Sequence, residues 1–333
     1  MTQAELTEPF EIGGVPLANR VLLAPLAGIG NWFVRLQARR HGAGLTVSEM
    51  VSSHALHYRN QRTLEQLLVI HPDEHPVAIQ LFGADPLVME DAARIAADAG
   101  ADLIDLNMGC PVKKVLKTGA GASLLADPDL AVEVALAAAR GSGLPVTVKL
   151  RSGLEPGDTS GLGLAIRLVE EGGAAAIGFH PRPATVHHKG EADYGLVREL
   201  VDQVGVPVIV SGGLQTAALA REAYAASRAD AVMIARGSFG YPWIFEELLS
   251  GRDQGPTQAE VAGELDWIVD RAIEHFGERR ACHYLRKFYP WYLERLDTGA
   301  DVARQVQAAE STAQARSLIH ASLTGFPGDQ QAL

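Results

Sequence analysis

The sequence predicts an α/β fold: a (β/α)8 TIM barrel followed by a C-terminal α-helical domain. Three observations carry this. Eight short apolar runs rich in Val and Ile recur between residues 20 and 237, many bounded by Gly or Pro, as strands covered on both faces require. Segments with helical spacing separate them, so strand and helix alternate. Near GRDQGPTQ (251–258) the composition turns polar, and residues 258–323 keep helical periodicity with little strand signal. The boundaries drawn are 1–250 for the barrel and 256–333 for the helical domain. An open doubly wound sheet is the alternative, but eight regular units favour closure.

The strand candidates, in order, are RVLLAP (20–25), LTVSEM (45–50), VAIQLF (77–82), DLIDLN (102–107), VTVKLR (146–151), AAIGFH (175–180), VPVIVSGG (206–213) and DAVMIARG (230–237). Two helices announce their own ends. DPLVMEDAARIAADAG (85–100) opens on Asp-Pro and stops at Gly100; DPDLAVEVALAAAR (127–140) has the same opening, with Asp127 as N-cap and Pro128 in the first turn.

Bulk composition narrows the class. At 333 residues and 47% apolar content the chain can bury a sizeable core. MTQAELTEPF lacks the basic and apolar regions of a secretory signal, and no apolar run is long enough to span a bilayer. Two cysteines, Cys110 and Cys282, make neither a disulfide framework nor a zinc spacing. The expectation is a cytoplasmic protein with reduced thiols and no metal. A formal net charge of −11 argues against a general nucleic-acid coat. It leaves room for a local basic groove, because phosphate responds to the field where contact is made.

Barrel enzymes gather their chemistry at the C-terminal strand ends. Those ends carry Pro25, Glu49, Gln80, Asn107 with Cys110, Lys149 with Arg151, His180 with Arg182, Ser211-Gly212-Gly213, and Arg236. The glycines after the last two strands stand where barrels hold phosphate. They let backbone N–H groups approach an anion, and Arg236 adds a bidentate donor. Two tight βα turns are the plain alternative. Lys149 either reaches solvent or, beside a flavin, steadies negative charge on the reduced ring. Cys110 has three readings: an inert buried thiol, a nucleophile, or a general acid above a substrate. The flanking Gly109 and Pro111 make a turn rather than a packed strand, which favours the acid.

The stretches APLAG (24–28), GAGLTVSEM (42–50), DLNMGCPVKKV (105–115) with GAGASLL (119–125), VTVKLR (146–151), GEADY (190–194), ARGSFGYPWIF (235–245) and KFYPWYL (287–293) resemble those of the bacterial tRNA-dihydrouridine synthases. They run in the family's order over nearly the whole chain, and SEMV leans toward the B-type subgroup. The resemblance implies an FMN-binding barrel, a helical tRNA-binding domain and NADPH as reductant; the chain is expected to be a monomer without metal. It implies that Pro25, Leu26 and Ala27 line the flavin and that Gln80, Lys149 and His180 contact it. Ser211, Gly212, Gly213, Ala235 and Arg236 would take its phosphate side. Hydride from reduced FMN would reach C6 of uridine, and Cys110 would deliver a proton to C5. The base would be turned out of its stack to reach the barrel. Asn107, Lys113, Lys114, Arg182, Arg286 and Lys287 would contact substrate or RNA, with Lys117, Arg279 and Arg280 along the same path.

The chain departs from the family pattern in three places. GNWF (30–33) replaces a hydroxyl–Asp–x–Pro–Phe run, HPRPA (180–184) replaces HGRTR, and SGG (211–213) replaces an Asn-Gly-Asp type turn. Two other functions share the barrel. One is an FMN oxidoreductase of a small molecule such as a free pyrimidine, which would not need the helical tail. The other is a non-catalytic RNA-binding relative, suggested by the altered 180–184 segment.

Overall fold

Each of the eight predicted runs contains a parallel strand. In the computed structural model, which describes residues 3–251 and 255–323, these are β1 (Val21–Leu23), β2 (Leu45–Val47), β3 (Val77–Phe82), β4 (Leu103–Met108), β5 (Val146–Arg151), β6 (Ala176–His180), β7 (Val208–Ser211) and β8 (Ala231–Ile234). Each pairs in parallel with the next, and β8 returns to β1, so the sheet closes on itself. Closure overturns the open-sheet alternative. It also removes exposed strand edges, which is why short strands suffice.

The helices sit where the sequence marks them. Asp85 accepts from the Leu87 and Val88 N–H groups to cap Pro86–Asp98. Asp127 accepts from Leu130 N–H to cap Pro128–Ser142, which ends on Gly143 in a left-handed conformation. These two helices pack closely through small residues, with Ala92, Ala93 and Ala96 fully buried on one and Ala131, Ala135 and Ala138 on the other.

Side chains two residues apart share a strand face, and this parity grades the barrel interior. Leu103, Ala176 and Ile209 belong to a buried apolar cluster with Leu22, Leu45 and Ala231. Two residues further along, the same faces carry Asp105, Gly178 and Ser211. The interior is therefore apolar toward the N-terminal strand ends and polar toward the C-terminal ends. An N-terminal hairpin, Phe10–Ile12 with Val15–Leu17, completes the apolar end. Ile12 and Leu17 join the same cluster, while Gly13 and Gly14 supply the two positive φ angles (57° and 86°) of a tight turn. The hairpin leaves no strand signal in the sequence because Glu11 and Pro16 interrupt its apolar residues.

The chain divides into two compact units, Met1–Gly237 with Ile244–Arg252, and Ser238–Trp243 with Asp253–Leu333. The second is helical: Gln258–Phe276, Glu278–Leu285, Tyr289–Leu296, Gly299–Ala308 and Thr312–Leu323. Thr257 and Glu260 form a capping box at its first helix. Its core includes Leu265, Ile268, Leu285, Tyr289 and Leu296. An aromatic run from Phe276 through Tyr284 and Phe288 to Trp291 has ring centroids 4.7, 5.2 and 5.3 Å apart. Residues 324–333 of the expected helical domain, and 252–254 of the expected linker, lie outside the described residues. Among the described residues, no helix is long and apolar enough to cross a membrane.

Candidate active site

Strand register builds the site. Gln80 on β3 stands opposite Asp105 on β4, Asp105 opposite Thr147 on β5, and Asn107 opposite Lys149. Lys149 in turn faces Gly178 on β6, and Arg151 faces His180. Asp105 is buried and accepts from both neighbours: Thr147 Oγ1–H at 2.6 Å and Gln80 Nε2–H at 2.6 Å. Gln80 Oε1 accepts from Asn107 Nδ2 at 2.9 Å. Burial raises the Asp105 carboxyl to about 6, against the hydrogen bonds from Thr147 and Gln80 and the charge of Lys149, which pull the other way.

Cys110 follows β4 on a loop held from several directions. Asn107 Oδ1 accepts from the N–H of Gly109 (3.3 Å) and of Cys110 (3.0 Å). Arg151 Nε donates to the Gly109 carbonyl at 3.0 Å, and Ala122 N–H donates to that of Cys110 at 3.1 Å. The thiol itself is half-buried, whereas Cys282 is buried. Cys110 is thus a partly exposed residue on a fixed loop, unlike a buried core cysteine.

Alongside lies a cationic wall, which begins on the adjacent strand β5. Lys149 Nζ donates to Ser211 Oγ at 3.2 Å, and Gly178 makes room for the lysine stem, since a Cβ there would stand 3.3 Å from Lys149 Cγ. Burial and then the charge of Arg151 bring the Lys149 ammonium down to about 8. His180 is buried and held well below its usual range, first by burial and then by Lys149, Arg151 and Arg182. Its Nε2 faces Arg182 Nη1 at 3.3 Å. Guanidinium only donates, so Nε2 accepts and the neutral ring carries its proton on Nδ1. Beside it, Gly212 and Gly213 have φ of 94° and 87°, left-handed residues whose missing Cβ atoms make room for the His180 ring and the Tyr194 hydroxyl. Tyr194 OH donates to the Gly212 carbonyl at 2.9 Å and braces the turn.

The remaining predicted residues lie in several places. Pro25, Leu26 and Ala27 follow β1, and Ala235 and Arg236 follow β8, all at the same barrel end; Ala27 and Arg236 are exposed and Leu26 is buried. Gly28 N–H donates to Glu49 Oε2 at 2.8 Å, tying the loop after β1 to the end of β2. Lys113 and Lys114 are exposed on a short helix, Lys113–Leu116, just beyond Cys110. Arg182 is buried, with Nε donating to the Gly190 carbonyl at 3.1 Å. In the helical unit, Arg286 is half-buried and donates to the Ala309 carbonyl at 3.3 Å, while Lys287 lies 4.9 Å over the Tyr284 ring.

Sequence reasoning passes over Asp105, Thr147 and Tyr194. Strand parity would have found the first two, because Asp105 shares a face with Asn107, and Thr147 with Lys149. The departing segment GNWF is structural here: Phe33 is fully buried, and Trp32 stacks on His71 with centroids 5.2 Å apart.

A family model described as dihydrouridine synthase (Dus) matches residues 22–324. The chain is 34% identical over 323 residues to tRNA-dihydrouridine synthase B of Proteus vulgaris, covering 95% of this chain and 99% of that one. The same identity and length hold for tRNA-dihydrouridine synthase B of Salmonella typhimurium, of which all is covered, against 95% of this chain. A probable tRNA-dihydrouridine synthase of Rickettsia bellii is 32% identical over 298 residues, 88% of this chain and 91% of that one. Among solved structures, morphinone reductase superposes with a TM-score of 0.52 at 17% identity, over 78% of this chain and 93% of its own. The old yellow enzyme homologue of Zymomonas mobilis gives 0.54 at 16% identity, over 78% and 96%. Those two likenesses concern the fold alone.

Proposed function

The chain belongs to the dihydrouridine synthase family, and from that premise we propose that it reduces uridine in tRNA to 5,6-dihydrouridine at the C-terminal mouth of the barrel. The observation that carries this reading is the half-buried Cys110 thiol, pinned on its loop at the rim where the inward amides and the cationic wall meet.

The mouth suits FMN. Its donors and charges outweigh the buried carboxylate beneath them, which matches a cofactor bearing a phosphate and an electron-rich ring. Gly212, Gly213 and Arg236 would take the phosphate, with buried Arg182 behind the glycine turn. Gln80, Lys149 and the Nδ1–H of His180 would meet the ring edge, and Pro25, Leu26 and Ala27 would line it. When bound, the flavin supplies hydride to C6 of the pyrimidine. NADPH is the proposed reductant, on the family's pattern.

The protein's own part is acid–base and positional. Cys110 holds the proton for C5, and its fixed backbone limits where the thiol can deliver it. Lys149, charged below about pH 8, steadies negative charge at the mouth. Asn107 sits beside both and would hold the base. Lys113 and Lys114 would guide phosphates toward the opening, and the helical unit, with Lys287 and Arg286, would bind tRNA elsewhere along its length.

The test is purification followed by turnover of unmodified tRNA. A yellow protein with non-covalent FMN that forms dihydrouridine, and stops doing so as Cys110→Ala, is the expected result. A colourless protein that cannot be reconstituted with FMN would sink the reading. Turnover of free pyrimidines without tRNA would favour the small-molecule function, and tRNA binding without turnover the non-catalytic one. Running the assay with NADPH and with NADH decides the reductant.

A further inference from the structure

Asp105 has no part in the roles above, yet it heads a connected set of side-chain hydrogen bonds at the mouth. Thr147 Oγ1–H anchors its Oδ1 and Gln80 Nε2–H its Oδ2, each at 2.6 Å. From Gln80 the set runs on to Asn107 and then to the Cys110 N–H.

The chemistry of the two ends, a carboxylate and backbone N–H groups, sets the sense of the whole set. An ionised carboxylate only accepts. It therefore draws the NH₂ end of the Gln80 amide and turns Gln80 Oε1 outward, to accept from Asn107 Nδ2. That in turn leaves Asn107 Oδ1 for the backbone N–H groups of Gly109 and Cys110. Amides have nearly the same shape at both ends, so shape alone does not choose. Run the other way, the set would press Asn107 NH₂ against the Cys110 N–H, donor against donor, and the loop would lose its bond.

We propose that Asp105 is a positioning residue whose carboxylate fixes the direction of a hydrogen-bond relay through Gln80 and Asn107. The relay holds the Cys110 backbone and fixes Gln80 with its Nε2–H toward Asp105 and its Oε1 toward Asn107. This rests on Cys110 as the proton donor and adds the group that aims it. The competing account is a buried carboxylate satisfied by its neighbours, with no consequence at Cys110.

The experiment reads the thiol directly. Purified full-length protein, without RNA, is treated with iodoacetamide, and Cys110 alkylation is followed by peptide mass spectrometry. Cys282, only 3% exposed, serves as internal reference. Asp105→Asn presents a donor to Thr147 or Gln80 and no longer imposes direction; Gln80→Met cuts the relay while keeping its volume. Each is expected to raise the Cys110 rate at least about twofold, the lower end of coupling within one hydrogen-bond network, with the Cys282 rate unchanged. Asp105→Asn combined with Asn107→Ala should react no faster than Asn107→Ala alone. In turnover, Asp105→Asn should lower kcat in step with the alkylation change while KM for tRNA stays within about twofold, as loss of a transition-state interaction requires. An unchanged Cys110 rate in both single variants, or additive effects in the cycle, overturns the relay. Because alkylation needs no RNA, a wild-type protein that makes no dihydrouridine would overturn the proposed function without deciding the relay's fate.

Discussion

Gly212 lies so close to the His180 imidazole that a Cβ on the glycine would overlap the ring. At φ 94° that Cβ also carries backbone strain. Two penalties meet at one residue: about 1–2 kcal/mol for the left-handed backbone, and displacement of the imidazole that Arg182 holds at 3.3 Å. Gly212→Ala should therefore lower Tm and cost most of the retained FMN, read from the visible spectrum after gel filtration. Gly205→Ala, on an open surface with nothing near its Cβ, should keep the full complement. Equal FMN in both variants would remove this turn from the cofactor site.

Cys110 supplies the second prediction. A positioned general acid contributes about 10²–10⁴-fold, so Cys110→Ala should slow dihydrouridine formation by that range in a single turnover with pre-reduced protein. FMN content and tRNA affinity should stay at the wild-type level, since the thiol's bonds to the loop run through its backbone. A variant that loses tRNA binding in proportion to activity would make Cys110 a binding residue instead.

The pH dependence follows from Lys149. Burial, then Arg151, lowers its ammonium to about 8. A base is charged below its pKa, so the positive charge is present at neutral pH and is lost as pH rises through about 8. FMN affinity of the cofactor-free protein should weaken across that window, measured by fluorescence quenching between pH 7 and pH 9. Lys149→Met should bind more weakly at pH 7 and show a flat profile. A wild-type profile as flat as the variant's would take the charge out of cofactor binding.

How far the sequence speaks depends on which physical signal a residue leaves. β3 to β8 are legible because strands buried on both faces must be apolar throughout, and Asp-Pro openings mark helices by capping chemistry. The ring of Gln80, Asn107, Lys149 and His180 is legible because a polar residue at the end of such a run is conspicuous. Asp105 is not, since one carboxylate inside DLIDLN reads as a strand boundary until register sets it opposite Gln80 and Thr147. Arg182 sits in a basic, turn-rich stretch that reads as surface. Its burial depends on Gly190 and His180 folding over it, a contact of the chain's three-dimensional path that no local pattern encodes.

Arg35 and Glu74 make a stability prediction away from the chemistry. Both are fully buried and joined by two bonds, Nε to Oε2 at 2.7 Å and Nη2 to Oε1 at 3.0 Å. Arg35 also donates to the Gly30 and Val69 carbonyls at 3.0 and 2.7 Å. Removing one partner of such a pair leaves the other charge buried alone, at about 3–5 kcal/mol. Arg35→Met should lower the urea midpoint accordingly, and the double change Arg35→Met with Glu74→Met should recover part of the loss. A double variant as unstable as the sum of the singles would mean that the packing around Arg35, rather than its charge, carries the effect.

Lys113, Lys114 and Lys117 pose the question of how a chain with net charge −11 holds RNA. All three are exposed just beyond Cys110, and none is bonded through its side chain to another described residue. Acidic surface elsewhere repels phosphate but is screened within about 8–10 Å at physiological salt, so a local cluster keeps its own field. Each phosphate contact made by such a cluster releases counterions and steepens the salt dependence of binding, by about 0.7–0.9 in the log–log slope. Changing all three lysines to Ala should therefore flatten the slope of tRNA affinity against salt by about 2–3, with the loss greatest at low salt. FMN content and Cys110 alkylation should not change. A parallel line at weaker affinity would mean that the lysines shape the loop without touching phosphate, and the guiding path would then have to lie on another face.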